Sequence, residues 1–228
     1  THNLQQRMWL FISIFLPILI YQLANFSASF VDTTMTGQYD TLHLAGVSMA
    51  TSLWIPFFDL LIGIVSASVP IIGHHLGQGK KEKIASDFYQ FIYLSLGLSL
   101  ILFALVFVGA PLVLSHLGLE PLVEEVAKNY LWYLALGIIP LLLFSTIRSL
   151  FYALGLTKLS MYLMLLLLPL NGTFNYALIY GAFGFPEMGG AGAGLGTSLA
   201  YWVLLLISLL VAVKHPKIRA YELWKIRS

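Results

Sequence analysis

The chemistry legible in this chain gathers on Asp32. That carboxylate closes an apolar run beginning at Met8, within the stretch Asn25-Phe-Ser-Ala-Ser-Phe-Val-Asp32-Thr-Thr-Met-Thr-Gly37. A carboxylate at membrane depth costs roughly 2.5–3.5 kcal/mol even on lenient insertion scales, so it must face protein or water. Ser29, Asn25 and Gln22 precede Asp32 by three, seven and ten positions. On a 3.6-residue helix these make one face. An Asp that merely marked the bilayer interface would need no such polar ladder beneath it. The stripe therefore favours an interior Asp32.

Further along, Pro169-Leu-Asn171-Gly-Thr-Phe-Asn175 sets two carboxamides at i and i+4 inside another apolar run. Each can donate and accept, so the pair can bond a carboxylate, a bound cation or a water. It can equally act as interhelical glue, worth about 0.6 kcal/mol on average and at most ~1.7. The two roles are compatible. Asp59 is a second carboxylate, just past Trp54 and Pro56. Near mid-membrane it must face the bundle interior, pair with another group or be protonated. Pro56 also frees a backbone carbonyl one turn earlier. Tyr130 and Trp132 read as an aromatic belt at the outer interface, while Tyr133 could turn inward and donate to a buried carboxylate. His74 and His75 read as headgroup-level residues, since no third metal ligand accompanies them. With no cysteine, disulfides and thiolate metal sites are excluded. No metal or other cofactor is expected.

The elements that must carry these groups are membrane helices. Of 228 residues, 59% are hydrophobic and 10% charged, against about 25% charged in soluble domains. The expected class is an all-α membrane protein, one bundle over residues 1–228. Six spans are expected, at about 8–34, 44–72, 88–114, 125–150, 159–180 and 190–213. Each exceeds the ~20 residues a bilayer requires, and the second and third can tilt. Turn-forming residues separate them at 37–40, 77–83, 118–121, 155–158 and 185–189. The first run lacks a signal peptide's charged start and cleavage site, and is expected to be a retained helix.

If the six helices alternate, every basic residue except Lys128 falls on one side, while Asp40, Glu120, Glu124 and Glu187 fall on the other. By the positive-inside rule both termini are expected to be cytoplasmic. A net charge of +2, with its basic residues in membrane loops, does not suggest nucleic acid. The sixth run opens Gly189-Gly-Ala-Gly-Ala-Gly-Leu-Gly-Thr-Ser198. Its Gly190/Gly194 and Gly192/Gly196 spacings permit close approach by another helix, which would bring Thr197 near whatever packs there. A phosphate-binding glycine loop would need a preceding strand and a Lys, and neither is present.

These residues together resemble a known family. Val31-Asp-Thr-Thr-Met-Thr-Gly37, Leu44-Ala-Gly-Val-Ser48 and Ser52-Leu-Trp-Ile-Pro56 are similar to the first two helices of the multidrug and toxic compound extrusion (MATE) transporters. Pro169-Leu-Asn171, Asn175, Tyr180-Gly181, Phe183-Gly184 and the glycine run to Thr197 resemble the fifth and sixth helices of its bacterial NorM-type branch. The likeness covers about residues 8–213. It implies a bacterial inner-membrane exporter of organic cations and other drugs, driven by inward H⁺ or Na⁺. It also implies twelve helices in two six-helix lobes, so this chain corresponds to the N-terminal lobe and a second lobe is its implied partner.

By the same resemblance, the coupling ion binds at Asp32 with help from Asn171, Asn175 and Thr197. Gln22, Asn25, Ser29, Asp59 and Tyr133 are the candidate cavity-lining or substrate residues. Some relatives carry Asp where this chain has Asn175, so protonation of Asp32 is more economical here than a Na⁺ cage. Asp59 matches no signature of the family. A flippase for lipids or lipid-linked oligosaccharides would share the architecture. An oligomeric channel would need a polar stripe along a whole helix, but here the polar residues cluster in the outer half. An intramembrane enzyme would need a nucleophile with a base, or an Asp-rich metal motif, at depth. No enzymatic activity is expected.

Overall fold

The computed structural model describes residues 3–215 and 218, without the side chains of Ile14, Ile18, Tyr21, Gln22, Asn25, Ala28, Ser29 and Lys81. Among the described residues there is no strand, and eight helices follow in order. They are α1 (Leu4–Tyr39), α2 (Thr41–Ser66), α3 (Ser68–Gly77), α4 (Lys81–Ser115), α5 (Pro121–Ala135), α6 (Ile138–Ala153), α7 (Thr157–Tyr180) and α8 (Gly190–Lys214). Asp40 alone separates α1 from α2, and its carboxylate caps α2 by accepting from the Leu42 amide at 2.7 Å. Such a cap satisfies a helix-end donor that otherwise has no partner. At the end of α7, Gly181 takes the left-handed conformation (φ 73°) that stops a helix.

Each of the six apolar runs lies within one helix or one broken pair of helices. Four helical stretches are long and apolar enough to cross a membrane: Thr41–Gly77, Glu82–Ser115, Thr157–Tyr180 and Gly190–Lys214. The pair α5–α6, bent by 48°, makes a fifth. The chain is thus an all-α, multi-pass membrane protein. The basic residues Lys217, Arg219, Lys225 and Arg227 lie outside the described residues.

The two breaks were not foreseen, and each follows from a proline. Pro70 has no N–H to return to the Ser66 carbonyl, so α2 stops there and the Ala67 amide turns to Ile64 O at 3.2 Å. Pro140 likewise leaves the Leu136 carbonyl without its helical donor. Lipid cannot replace that bond, so a neighbouring helix must. The Trp202 indole N–H of α8 does so, at 3.1 Å, and Ser198 Oγ donates to Tyr133 O at 2.5 Å.

The glycine-rich helix α8 packs against α5, α6 and α7, while α1 lies mainly along α7. The paired glycines divide between two neighbours. A Cβ on Gly190 would stand 2.8 Å from the Val126 side chain, and one on Gly194 2.5 Å from Tyr130 O, both on α5. A Cβ on Gly192 would stand 2.7 Å from the Leu178 backbone of α7. Two small-residue faces thus let one helix touch two others at backbone distance.

On the opposite side of the bundle from the α7–α8 loop, His75 of α3 pairs with Asp87 of α4. Arg148 is expected at the end of the fourth span, bracketing the cytoplasmic loop that follows. It is buried within α6, with its guanidinium 5.4 Å from the centre of the Tyr152 ring.

The break in α5–α6 yields an order of stabilities. Gly137 faces Ser198 so closely that an added Cβ would lie 2.8 Å from the Ser198 Cα. Ser198→Ala removes one interhelical bond and should cost about 0.6–1.7 kcal/mol. Gly137→Ala forces backbone apart and should cost about 1–3 kcal/mol. Unfolding midpoints in mild detergent, with Gly137→Ala the lower, check this.

Candidate ion-coupling site

Three helices deliver the site. Asp32 lies in the last two turns of α1, Asn171 and Asn175 on successive turns of α7, and Thr197 two turns into α8. The α1–α7 and α7–α8 contacts bring them together. Asp32 is 8% exposed. Its Oδ1 accepts from the Asn171 carboxamide at 3.0 Å and also from that of Asn175. Its Oδ2 accepts from the Thr197 hydroxyl at 3.0 Å. The four residues named for ion coupling therefore form one cluster. Thr36 Oγ1 donates back to the Asp32 carbonyl at 2.7 Å, a bond within α1 that leaves the carboxylate untouched.

Two features of the cluster bear on its chemistry. Three donors converge on one carboxylate, which is how a buried negative charge is held without a counter-ion. The Thr197 hydroxyl has a single proton but three acceptors in reach: Asp32 Oδ2, Asn171 Oδ1 at 3.2 Å and Ala193 O at 2.8 Å. When Asp32 no longer needs a donor, that proton has another place to go.

Gly196 makes the cluster sterically possible. A Cβ there would run into Asn175 Oδ1 and stand 3.0 Å from the Asn175 amide nitrogen. Asn175 Oδ1 itself meets no hydrogen-bond donor among the described residues.

Asp32 also opens onto a cleft of about 320 Å³, lined in addition by Thr51, Trp54, Phe58, Asp59 and Tyr130 among others. Asp59 lies on the wall of this cleft. Tyr133 does not. It is half-buried, its carbonyl takes the Ser198 hydroxyl, and Tyr130 one turn earlier faces the cleft instead. The close approach of Gly194 to Tyr130 sets which face of α5 turns inward. The side chains of Gln22, Asn25 and Ser29 lie outside the described residues.

Sequence reading missed Thr51, Phe58 and Tyr201 as lining residues. A signal was available, because Thr51, Trp54, Phe58 and Asp59 repeat at helical spacing on α2, and Tyr201 follows Thr197 by one turn.

A buried carboxylate held by two carboxamides and a Thr, on a small-residue helix contact beside an open cleft, calls for comparison with known proteins. Residues 17–177 match the MatE family model. The chain belongs to the MatE family. Over 225 residues it is 70% identical to a protein of Streptococcus pneumoniae serotype 4 named "Probable multidrug resistance protein NorM", covering 99% of this chain and 50% of that one. A protein of the same name from Halalkalibacterium halodurans is 40% identical over 228 residues, covering 99% and 49%. The crystal structure of a MATE protein in complex with MaL6 superposes with a TM-score of 0.80 at 20% identity, over 90% of this chain and 44% of that one. That likeness is one of fold. The chain spans about half the length of these MatE relatives.

The spacer role of Gly196 can be measured directly. Gly→Ala inside a helix ordinarily gains up to about 1 kcal/mol. Gly172→Ala, where nothing lies within 4 Å of the added carbon, should therefore be neutral or stabilising. Gly196→Ala should instead lose about 1–3 kcal/mol through overpacking against Asn175. Thermal unfolding in detergent separates the two.

Proposed function

We propose that this chain is the ion-coupling lobe of a cation-driven multidrug antiporter in a bacterial inner membrane. In this reading a second six-helix lobe completes the cleft, and organic cations and other drugs are exported. Inward movement of H⁺, or alternatively Na⁺, drives the export. The observation that carries the reading is Asp32, buried yet opening on the cleft, with three side-chain donors from two other helices. The half-length match to proteins named for multidrug resistance supports it.

The mechanism follows from opposing terms. Burial disfavours the ionised carboxylate, whereas each hydrogen bond to it favours the ion. A hydrogen bond to a charged group is worth about 1.5–3 kcal/mol, so three of them are comparable with the several kcal/mol that burying an ion inside protein costs. A group so balanced can release and take up a proton as its surroundings change. Proton uptake removes the reason for Asn171, Asn175 and Thr197 to converge, and so favours a different packing of α1 on α7 and α8. A ligand shifts an equilibrium only by its differential affinity for the two states. Asp32 supplies that difference for H⁺. With Asn175 rather than a second carboxylate beside Asp32, protonation is more economical than a Na⁺ cage.

The topology in this reading has α1 as a sixth span and both termini in the cytoplasm, from the one-sided basic residues. Gln38→Cys and Glu120→Cys should react with impermeant maleimide from outside intact cells, and Lys80→Cys and Lys158→Cys should not. External labelling at Lys80 would overturn the assignment.

For the mechanism, Asp32→Asn in the complete two-lobed transporter should insert and fold at the wild-type level yet confer no drug resistance. Asp32→Glu, which keeps the charge but moves it by one methylene, should retain part. Wild-type efflux by Asp32→Asn at matched expression would sink the reading, and a requirement for Na⁺ in the assay would replace H⁺ as the driving ion.

A further inference from the structure

The cleft holds two carboxylates in different circumstances. Both oxygens of Asp32 are occupied by donors from α7 and α8. Asp59 is exposed on the cleft wall and makes no hydrogen bond or ion pair with any described residue. The two also differ in depth. Because α2 turns back along α1 and both residues line one cleft, distances can be taken from the α1–α2 junction. At 1.5 Å per residue, Asp32 lies about 10 Å from it and Asp59 about 27 Å. Asp59 therefore sits near the middle of the Thr41–Gly77 stretch, where an uncompensated carboxylate is most costly.

What surrounds Asp59 indicates what would compensate it. Trp54 and Phe58, with ring centroids 6.0 Å apart, share its face of α2, and Phe26, Tyr130 and Tyr201 line the same cleft. A carboxylate without a partner among the described residues, set among aromatic rings, suits a lipophilic cation whose charge is spread over an apolar body. The acid supplies the charge and the rings supply both apolar contact and cation–π attraction. A small hydrated ion would leave the rings unused, and an anion would be repelled.

We propose that Asp59 is the residue that selects positively charged cargo, so that cargo and coupling ion are held on different carboxylates of one cleft. This rests on the antiport reading above, but it divides the work: Asp32 carries the ion and Asp59 the cargo. Competition between the two is then transmitted through the cleft rather than through shared oxygens.

The test uses the purified complete transporter and two probes of like size, tetraphenylphosphonium and uncharged triphenylphosphine oxide. Asp59→Asn should weaken tetraphenylphosphonium binding at least tenfold and change triphenylphosphine oxide binding less than threefold. Asp59→Glu should stay within about threefold of wild type for both. Unchanged tetraphenylphosphonium binding by Asp59→Asn overturns the proposal, as does an equal loss of both probes, which would make Asp59 a structural residue. If Asp59→Asn does not fold, the wild-type protein decides. Tetraphenylphosphonium, but not triphenylphosphine oxide, should protect Asp59 from carbodiimide modification, read by mass spectrometry, and lack of protection counts against the assignment. Failure of this test leaves the antiport reading standing, because that reading is decided by efflux of Asp32→Asn.

Discussion

A carboxylate that has left water must be solvated by protein, and much of this structure can be traced to that demand at Asp32. Two carboxamides and one hydroxyl replace the lost hydration. None of them comes from α1 itself. The carboxylate therefore holds α1 against α7 and α8, and the state of one acid bears on the packing of three helices. Solvation of this kind is conditional: donors fixed in place suit the ion and have less to offer the neutral acid.

Close approach is the second requirement, and the glycines of α8 provide it. Gly192 admits the α7 backbone and Gly196 admits Asn175. On the adjacent face Gly190 and Gly194 admit α5, which carries Tyr130 to the cleft. Without a hydrophobic drive between helices in lipid, such packing and the hydrogen bonds it permits are what hold a bundle together. The bent pair α5–α6 belongs to the same economy, since the helix that packs beside the break also supplies Trp202 and Ser198 to its carbonyls. The glycine run thus serves fold and site at once.

Much of this was legible in the chain itself. Apolar length and low charge dictated membrane helices, because lipid leaves the backbone no partner but itself. A carboxylate and two carboxamides at membrane depth were conspicuous because hydrocarbon makes them costly. The cluster of Asp32, Asn171, Asn175 and Thr197 followed from the resemblance to the transporter family, and these are the groups the fold brings into contact. The proline breaks were readable in principle, yet Pro17, Pro56, Pro111 and Pro169 lie inside continuous helices. The carbonyl a proline frees must find its donor elsewhere, as Leu136 O does at Trp202, and that donor is remote in sequence.

Legible without the fold were the class of the protein, the place of each polar group along its apolar run and the small-residue face of α8. These are local properties of residue type and spacing measured against a fixed solvent, the bilayer. It took the packed bundle to show that the glycine pairs serve two different neighbours, that Tyr130 rather than Tyr133 faces the cleft, and that Asp59 has no partner among the described residues where both oxygens of Asp32 are engaged. Each of these turns on the rotation of one helix about its own axis relative to another. A helix's own residues leave that rotation undetermined, and contacts between distant segments set it.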